Sequence, residues 1–103
     1  DMSLYYLQKL LYHVNREPHR LAGGNAPPAA FLDDYDLTAE EREAVLGADI
    51  GLLYVLGVNG QILMHYAAAC GFPWEQYIQM MKDGVARHGP VREGLYAMAE
   101  DGR

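Results

Sequence analysis

The sequence predicts an all-α domain of five to six short helices. Apolar residues recur at three- and four-residue intervals along most of the chain, the spacing of one face of a helix with 3.6 residues per turn. Residues that start and stop helices punctuate these runs. No segment alternates at period two for long enough to argue a sheet.

The first helix carries Leu4, Leu7, Leu11 and Val14 on one stripe, widened by Leu10. Ser3 is its expected N-cap, and Pro18 is expected to stop it. Arg16 to Ala26, with Gly23, Gly24 and Asn25, reads as a loop. Pro27 and Pro28 open a short helix through Phe31 and Leu32 toward Tyr35, because first-turn amides lack intrahelical partners and proline costs nothing there. In Thr38-Ala39-Glu40-Glu41 the Thr38 hydroxyl can cap the Glu41 amide while the Glu41 carboxylate reaches back to Thr38. That helix buries Val45 and Leu46 and is expected to end at Gly47.

Asp49 caps the next helix, with Leu52, Leu53 and Leu56 as its apolar face and Gly57 as its stop. Asn59 caps another, which holds Ile62, Leu63, Tyr66, Ala67 and Ala69 and ends at Gly71. Pro73 opens the last clear helix, marked by Trp74, Tyr77, Ile78 and Met81. Beyond Gly84 the signal weakens, although Val91 to Ala99 has the spacing of one or two more amphipathic turns. The division expected is a helical domain over residues 1–83 and a tail over 84–103, partly helical or flexible.

At 103 residues the chain holds one domain, large enough to bury roughly 65% of its unfolded surface without disulfide or metal staples. The single cysteine, Cys70, excludes a disulfide framework and a cysteine-rich zinc site. Eight Lys and Arg against fourteen Asp and Glu, a net charge of −6, argue against binding a phosphate backbone, so no nucleic-acid partner is expected. No run approaches the ~20 apolar residues of a membrane span and no signal peptide is visible, so a cytoplasmic protein is expected.

The chemistry-bearing residues assemble no catalytic constellation. His13 and Glu17, four apart, have a spacing that metal pairs use, but no third ligand is visible. His65 reads as a partly buried, hydrogen-bonded histidine with a substrate-facing role as the alternative, and His19 and His88 carry no pattern. Cys70 lies at a helix C-terminus, where the macrodipole disfavours a thiolate, and reads as a packing residue. Ser3 is the sole serine, which leaves no serine nucleophile away from the chain start. The carboxylates of Asp33-Asp34-Tyr35-Asp36 and Glu40-Glu41-Arg42-Glu43 read as helix ends and solvated faces. Seven aromatic residues (Tyr5, Tyr6, Tyr12, Tyr54, Tyr66, Trp74 and Tyr77), with Met64, Met80 and Met81, fit either core filling or a docking surface.

The succession Leu10-Leu11-Tyr12-His13-Val14-Asn15-Arg16-Glu17-Pro18, then Ala30-Phe31-Leu32-Asp33-Asp34-Tyr35-Asp36-Leu37-Thr38, then Glu40 to Leu46, Asp49, and Leu53-Tyr54-Val55-Leu56-Gly57-Val58-Asn59 resembles the small α subunit of the protocatechuate 4,5-dioxygenase (LigAB) family. Tyr77-Ile78-Gln79-Met80-Met81 is similar to that family's C-terminal region, and the resemblance spans about residues 4–83. It implies a helical, non-catalytic subunit in a hetero-oligomer with a larger catalytic β subunit, in which two histidines and a carboxylate hold non-haem Fe(II). That subunit opens catechol-type rings with molecular oxygen beside a hydroxyl group. The α subunit carries no cofactor or metal ligand of its own, covers the active-site mouth and shapes the pocket for a substrate near the interface. The residues expected to line the partner or the substrate pocket are Tyr54, Asn59, Leu63, His65 and Tyr66, around the Gly57 turn.

Two other readings stay open. The same module resembles the recognition domain of ribosomal peptide precursors, bound by a separate modifying enzyme such as a backbone N-methyltransferase with the C-terminal tail as substrate. A stand-alone domain binding a small aromatic molecule between its helices is the other.

Overall fold

A computed structural model describes residues 2–16, 27 and 29–92. Among these the elements are α1 (Met2–Asn15), α2 (Ala29–Leu32), α3 (Ala39–Leu46), α4 (Ile50–Leu56), α5 (Gly60–Ala69) and α6 (Trp74–His88), with no strand. No described helix is long and apolar enough to cross a membrane. The expected stop at Pro18, the glycine-rich loop, Pro28, His19, Glu17 and the chain beyond Arg92 lie outside the described residues.

Local signals account for most helix ends. At α3 the Glu41 amide donates to the Thr38 hydroxyl at 3.1 Å, and the Thr38 amide donates to the Glu41 carboxylate at 2.8 Å, closing the expected capping box. Asp49 accepts from the Leu52 amide, and Asn59 accepts from the amides of Gln61 and Ile62. Ser3 is not a cap, because α1 already begins at Met2.

Three helices end in Schellman turns. The amides of Val58 and Gly57 reach the Leu53 and Tyr54 carbonyls, and those of Phe72 and Gly71 reach Ala67 and Ala68. Gly57 and Gly71 supply the left-handed residue, at φ 107° and 92°. At α3 the same pair of bonds runs from Asp49 to Ala44 and from Ala48 to Val45, so the left-handed residue is Ala48, at φ 49°, and not Gly47. The glycine expected to end that helix therefore sits one residue before the strained position.

The core draws on every helix. Leu7, Leu10, Leu11 and Val14 of α1 are buried with Leu32, Val45, Ile50, Leu53, Leu63 and Tyr66. Instead of the expected Leu52-Leu53-Leu56 face, α4 buries Ile50, Gly51, Leu53 and Val55, while Leu52 and Leu56 are half-buried. The reason is its position: it meets α3, α5 and, most extensively, α6, so an apolar residue finds cover on almost any side.

The α4–α6 crossing rests on two glycines. A Cβ added to Gly51 would stand 2.5 Å from the Met80 carbonyl oxygen and 2.8 Å from Gly84 Cα, and one added to Gly84 would stand 2.5 Å from Gly51 Cα. Here α6 runs past Gly84 to His88, across the boundary expected at residue 83, because the close helix contact outweighs glycine's poor helix propensity. Arg87 and His88 consequently fall in the last turn of a helix, where the Arg87 cation suits the macrodipole. The chain then turns at Gly89, and the Arg92 amide donates to the Val55 carbonyl at 2.8 Å while its guanidinium pairs with Glu40 at 2.8 Å.

Candidate functional site

A groove of about 820 Å³ lies between α1 and α5. Two polar ties set its walls. Gln8 Oε1 accepts from the Asn59 amide at 2.6 Å, and Asn15 Nδ2 donates to the Ile62 carbonyl at 3.1 Å. Ile62, Ala68 and Ala69 supply an apolar lining, while Tyr12, Arg16, Gln61 and His65 supply its polar and aromatic groups. Asn15 also faces the groove, and its Oδ1 is buried without a hydrogen-bond partner. A buried acceptor left unpaired is costly, and here that cost falls at the α1–α5 tie.

The five residues expected to line a partner or pocket separate into two groups. Asn59 and His65 lie on the groove. Leu63 and Tyr66 lie in the core, each at 0% exposure, so neither faces a surface of this chain. Helix geometry explains the split: at 100° per residue, 63, 66, 67 and 70 share the inner face of α5, and 61, 65 and 68 the outer one. Tyr54 is half-buried against the core, near enough to Tyr77 to help push that phenol's pKa up, although burial of Tyr77 is the larger cause. His65, expected to be partly buried, is exposed at the groove. Asn15, Arg16, Gln61 and Ala68 join the site unanticipated, and Tyr12 joins from the aromatic set that fitted either core filling or docking; the legible signal was the outward 61-65-68 series on α5 opposite Tyr12 and Arg16.

Several other titratable groups have structural partners. His13 Nδ1 is 2.6 Å from the Tyr35 hydroxyl, which ties α1 to the turn after α2. The Tyr66 hydroxyl donates to the Val45 carbonyl at 3.2 Å, and burial pushes its pKa far up, with the Cys70 sulfur adding to the shift. Burial likewise raises the Cys70 thiol, so it is a buried packing residue and no nucleophile. Arg42 pairs with Asp33 at 3.0 Å. The Arg92 guanidinium, hydrogen-bonded to Glu40, holds that carboxyl below its usual range. A second cleft, about 540 Å³, opens beside the Ala48 turn with Glu40, Glu43 and Asp49 at its edge.

Among the described residues, no three His, Cys, Asp or Glu side chains come together in a way that could hold a metal ion. No described residue is therefore assigned to a metal.

Comparison with known proteins adds one match. Residues 7–86 match the family described as the LigA subunit of the aromatic-ring-opening dioxygenase LigAB. Nothing among the curated proteins or the solved structures matches. With some four-fifths of its length covered by that match, the chain belongs to the LigA subunit family of aromatic-ring-opening dioxygenases.

Proposed function

We propose that this chain is the non-catalytic helical subunit of a non-haem iron extradiol dioxygenase, seated over the active-site mouth of a larger catalytic subunit that opens catechol-type aromatic acids. The observation that carries the reading is the family match across residues 7–86. The α1–α5 groove supports it, because it offers an open surface with an aromatic wall at Tyr12 and polar groups at Arg16, Gln61 and His65. Iron held by the catalytic subunit supplies the oxygen chemistry. The residues of this chain act by shape: they exclude water from the mouth and limit the orientations open to the ring. A cytoplasmic location goes with this reading.

The test is reconstitution with a ring-cleaving catalytic subunit of the LigAB type from the same organism. Oxygen uptake with protocatechuate should be high for the complex and low for either subunit alone, with iron recovered only in the catalytic subunit. Stoichiometric iron and oxygen uptake in this chain alone would overturn the reading. So would methyl groups added to residues 84–103 of the natural product, which the peptide-precursor alternative requires.

A further inference from the structure

We infer that the outer face of α1, together with the adjoining α1–α5 groove, is the surface on which the catalytic subunit docks, and that it receives an acidic patch of that subunit. The inference rests on the functional reading above and adds the face and its chemistry.

Tyr5, Lys9, Tyr12 and Arg16 follow one another at four-, three- and four-residue steps and form a single exposed stripe. Tyr5 and Tyr12 are about half exposed, at 52% and 49%. Each ring carries a cation one turn on: Lys9 Nζ lies 5.8 Å from the Tyr5 centroid, and the Arg16 guanidinium 5.5 Å from that of Tyr12. Arg16 also donates to the Tyr12 hydroxyl at 3.0 Å, which holds the pair in place. Aromatic rings beside arginine are the side chains enriched at the centres of protein interfaces.

Charge selects the occupant. Residues 2–16 contain Lys9 and Arg16 and no Asp or Glu, whereas the rest of the chain has six Lys and Arg against fourteen Asp and Glu, a formal −8. This stripe is thus a local positive face on an acidic protein, and it complements carboxylates. A two-fold dimer through this face would set cation against cation. A contact from this face to the acidic flank of a second copy would be head-to-tail, and unless it closed into a ring it would propagate. A different chain is the occupant that fits. The stripe continues into the groove through Tyr12 and Arg16, which line both.

The experiment uses the full chain and a LigAB-type catalytic subunit from the same organism. Affinity is measured by calorimetry at low and high sodium chloride for wild type, the double variant Lys9→Glu/Arg16→Glu, Tyr12→Ala, and the exposed α6 control Lys82→Glu. Reversal of both stripe charges should weaken binding at least roughly tenfold and flatten the salt dependence, with an unchanged circular dichroism spectrum. Tyr12→Ala should also weaken binding, and Lys82→Glu should stay within about twofold of wild type. If the wild type binds and the double variant binds equally well, this inference fails and the functional reading stands. If the wild type binds no catalytic subunit, the functional reading fails. Salt-sensitive self-association of the chain alone, abolished by the double variant, would assign the face to a second copy and overturn the inference.

Discussion

Gly84→Ala tests whether α4 and α6 touch backbone to backbone. In an ordinary helix interior the change is favourable, because alanine exceeds glycine in helix propensity by about 1 kcal/mol. Here the new methyl group would lie 2.5 Å from the Cα, carbonyl carbon and carbonyl oxygen of Gly51. Ordinary carbon contacts begin near 3.5 Å, so the helices must part by roughly 1 Å. Both colliding surfaces are backbone, and no side chain can rotate away. Overpacking of this kind costs typically 1–3 kcal/mol, and with rigid atoms on both sides the upper end applies. After the propensity gain, the expected net loss is about 2 kcal/mol.

In a domain this size that lowers the melting temperature by roughly 8–16 °C. Urea unfolding followed by circular dichroism at 222 nm measures it, with the midpoint falling and the slope unchanged. Gly51→Ala should lose stability for the same reason, since its methyl group would meet the Met80 carbonyl oxygen at 2.5 Å. The double variant should cost less than the sum of the two, because helices already forced apart admit the second methyl more easily. Gly60→Ala is the control, with nothing within 4 Å of the added carbon, and it should be neutral or slightly stabilising. A Gly84→Ala protein as stable as wild type, or more so, would refute the packing argument, because it would mean that only the propensity gain operates.

Four further expectations follow from single features. Thr38→Ala should cost about 1 kcal/mol in urea unfolding, because the Glu41 amide loses its acceptor and the box its first half. Ala48→Gly should gain up to about 1 kcal/mol, since it removes the penalty of a Cβ at φ 49° and returns only part of it through a freer unfolded chain. Cys70 should resist alkylation in the folded protein at pH 8 and react at once in 6 M urea, its thiol being buried and its pKa raised. Arg92→Ala should cost between about 0.2 and 1 kcal/mol at pH 7 and low salt, as befits an exposed pair. Glu40 has its pKa lowered by Arg92, so this difference should be present at neutral pH and fade as acidification protonates the Glu40 carboxyl.

What could be read from the sequence was what is decided within a turn or two of helix. The capping box at Thr38, the caps at Asp49 and Asn59, and the ends at Gly57 and Gly71 each depend on residues at most six apart, and all appear as expected. The all-α class follows from the same short-range spacing, and family membership from the order of those motifs.

Tertiary structure decided which face of each helix meets which neighbour. Tyr66 and His65 are adjacent in sequence, yet one is sealed in the core and the other stands on the groove, because α1, α4 and α6 approach α5 from particular sides. The tie from Gln8 to Asn59 spans 51 residues, and no local pattern announces it. Gly84 read as the place where the helical signal fades and proved to be the point of closest helix contact, since glycine's meaning depends on whether another backbone lies opposite. Helical periodicity names an apolar stripe, but only the packed neighbours determine how wide the buried sector is and what remains exposed for a partner.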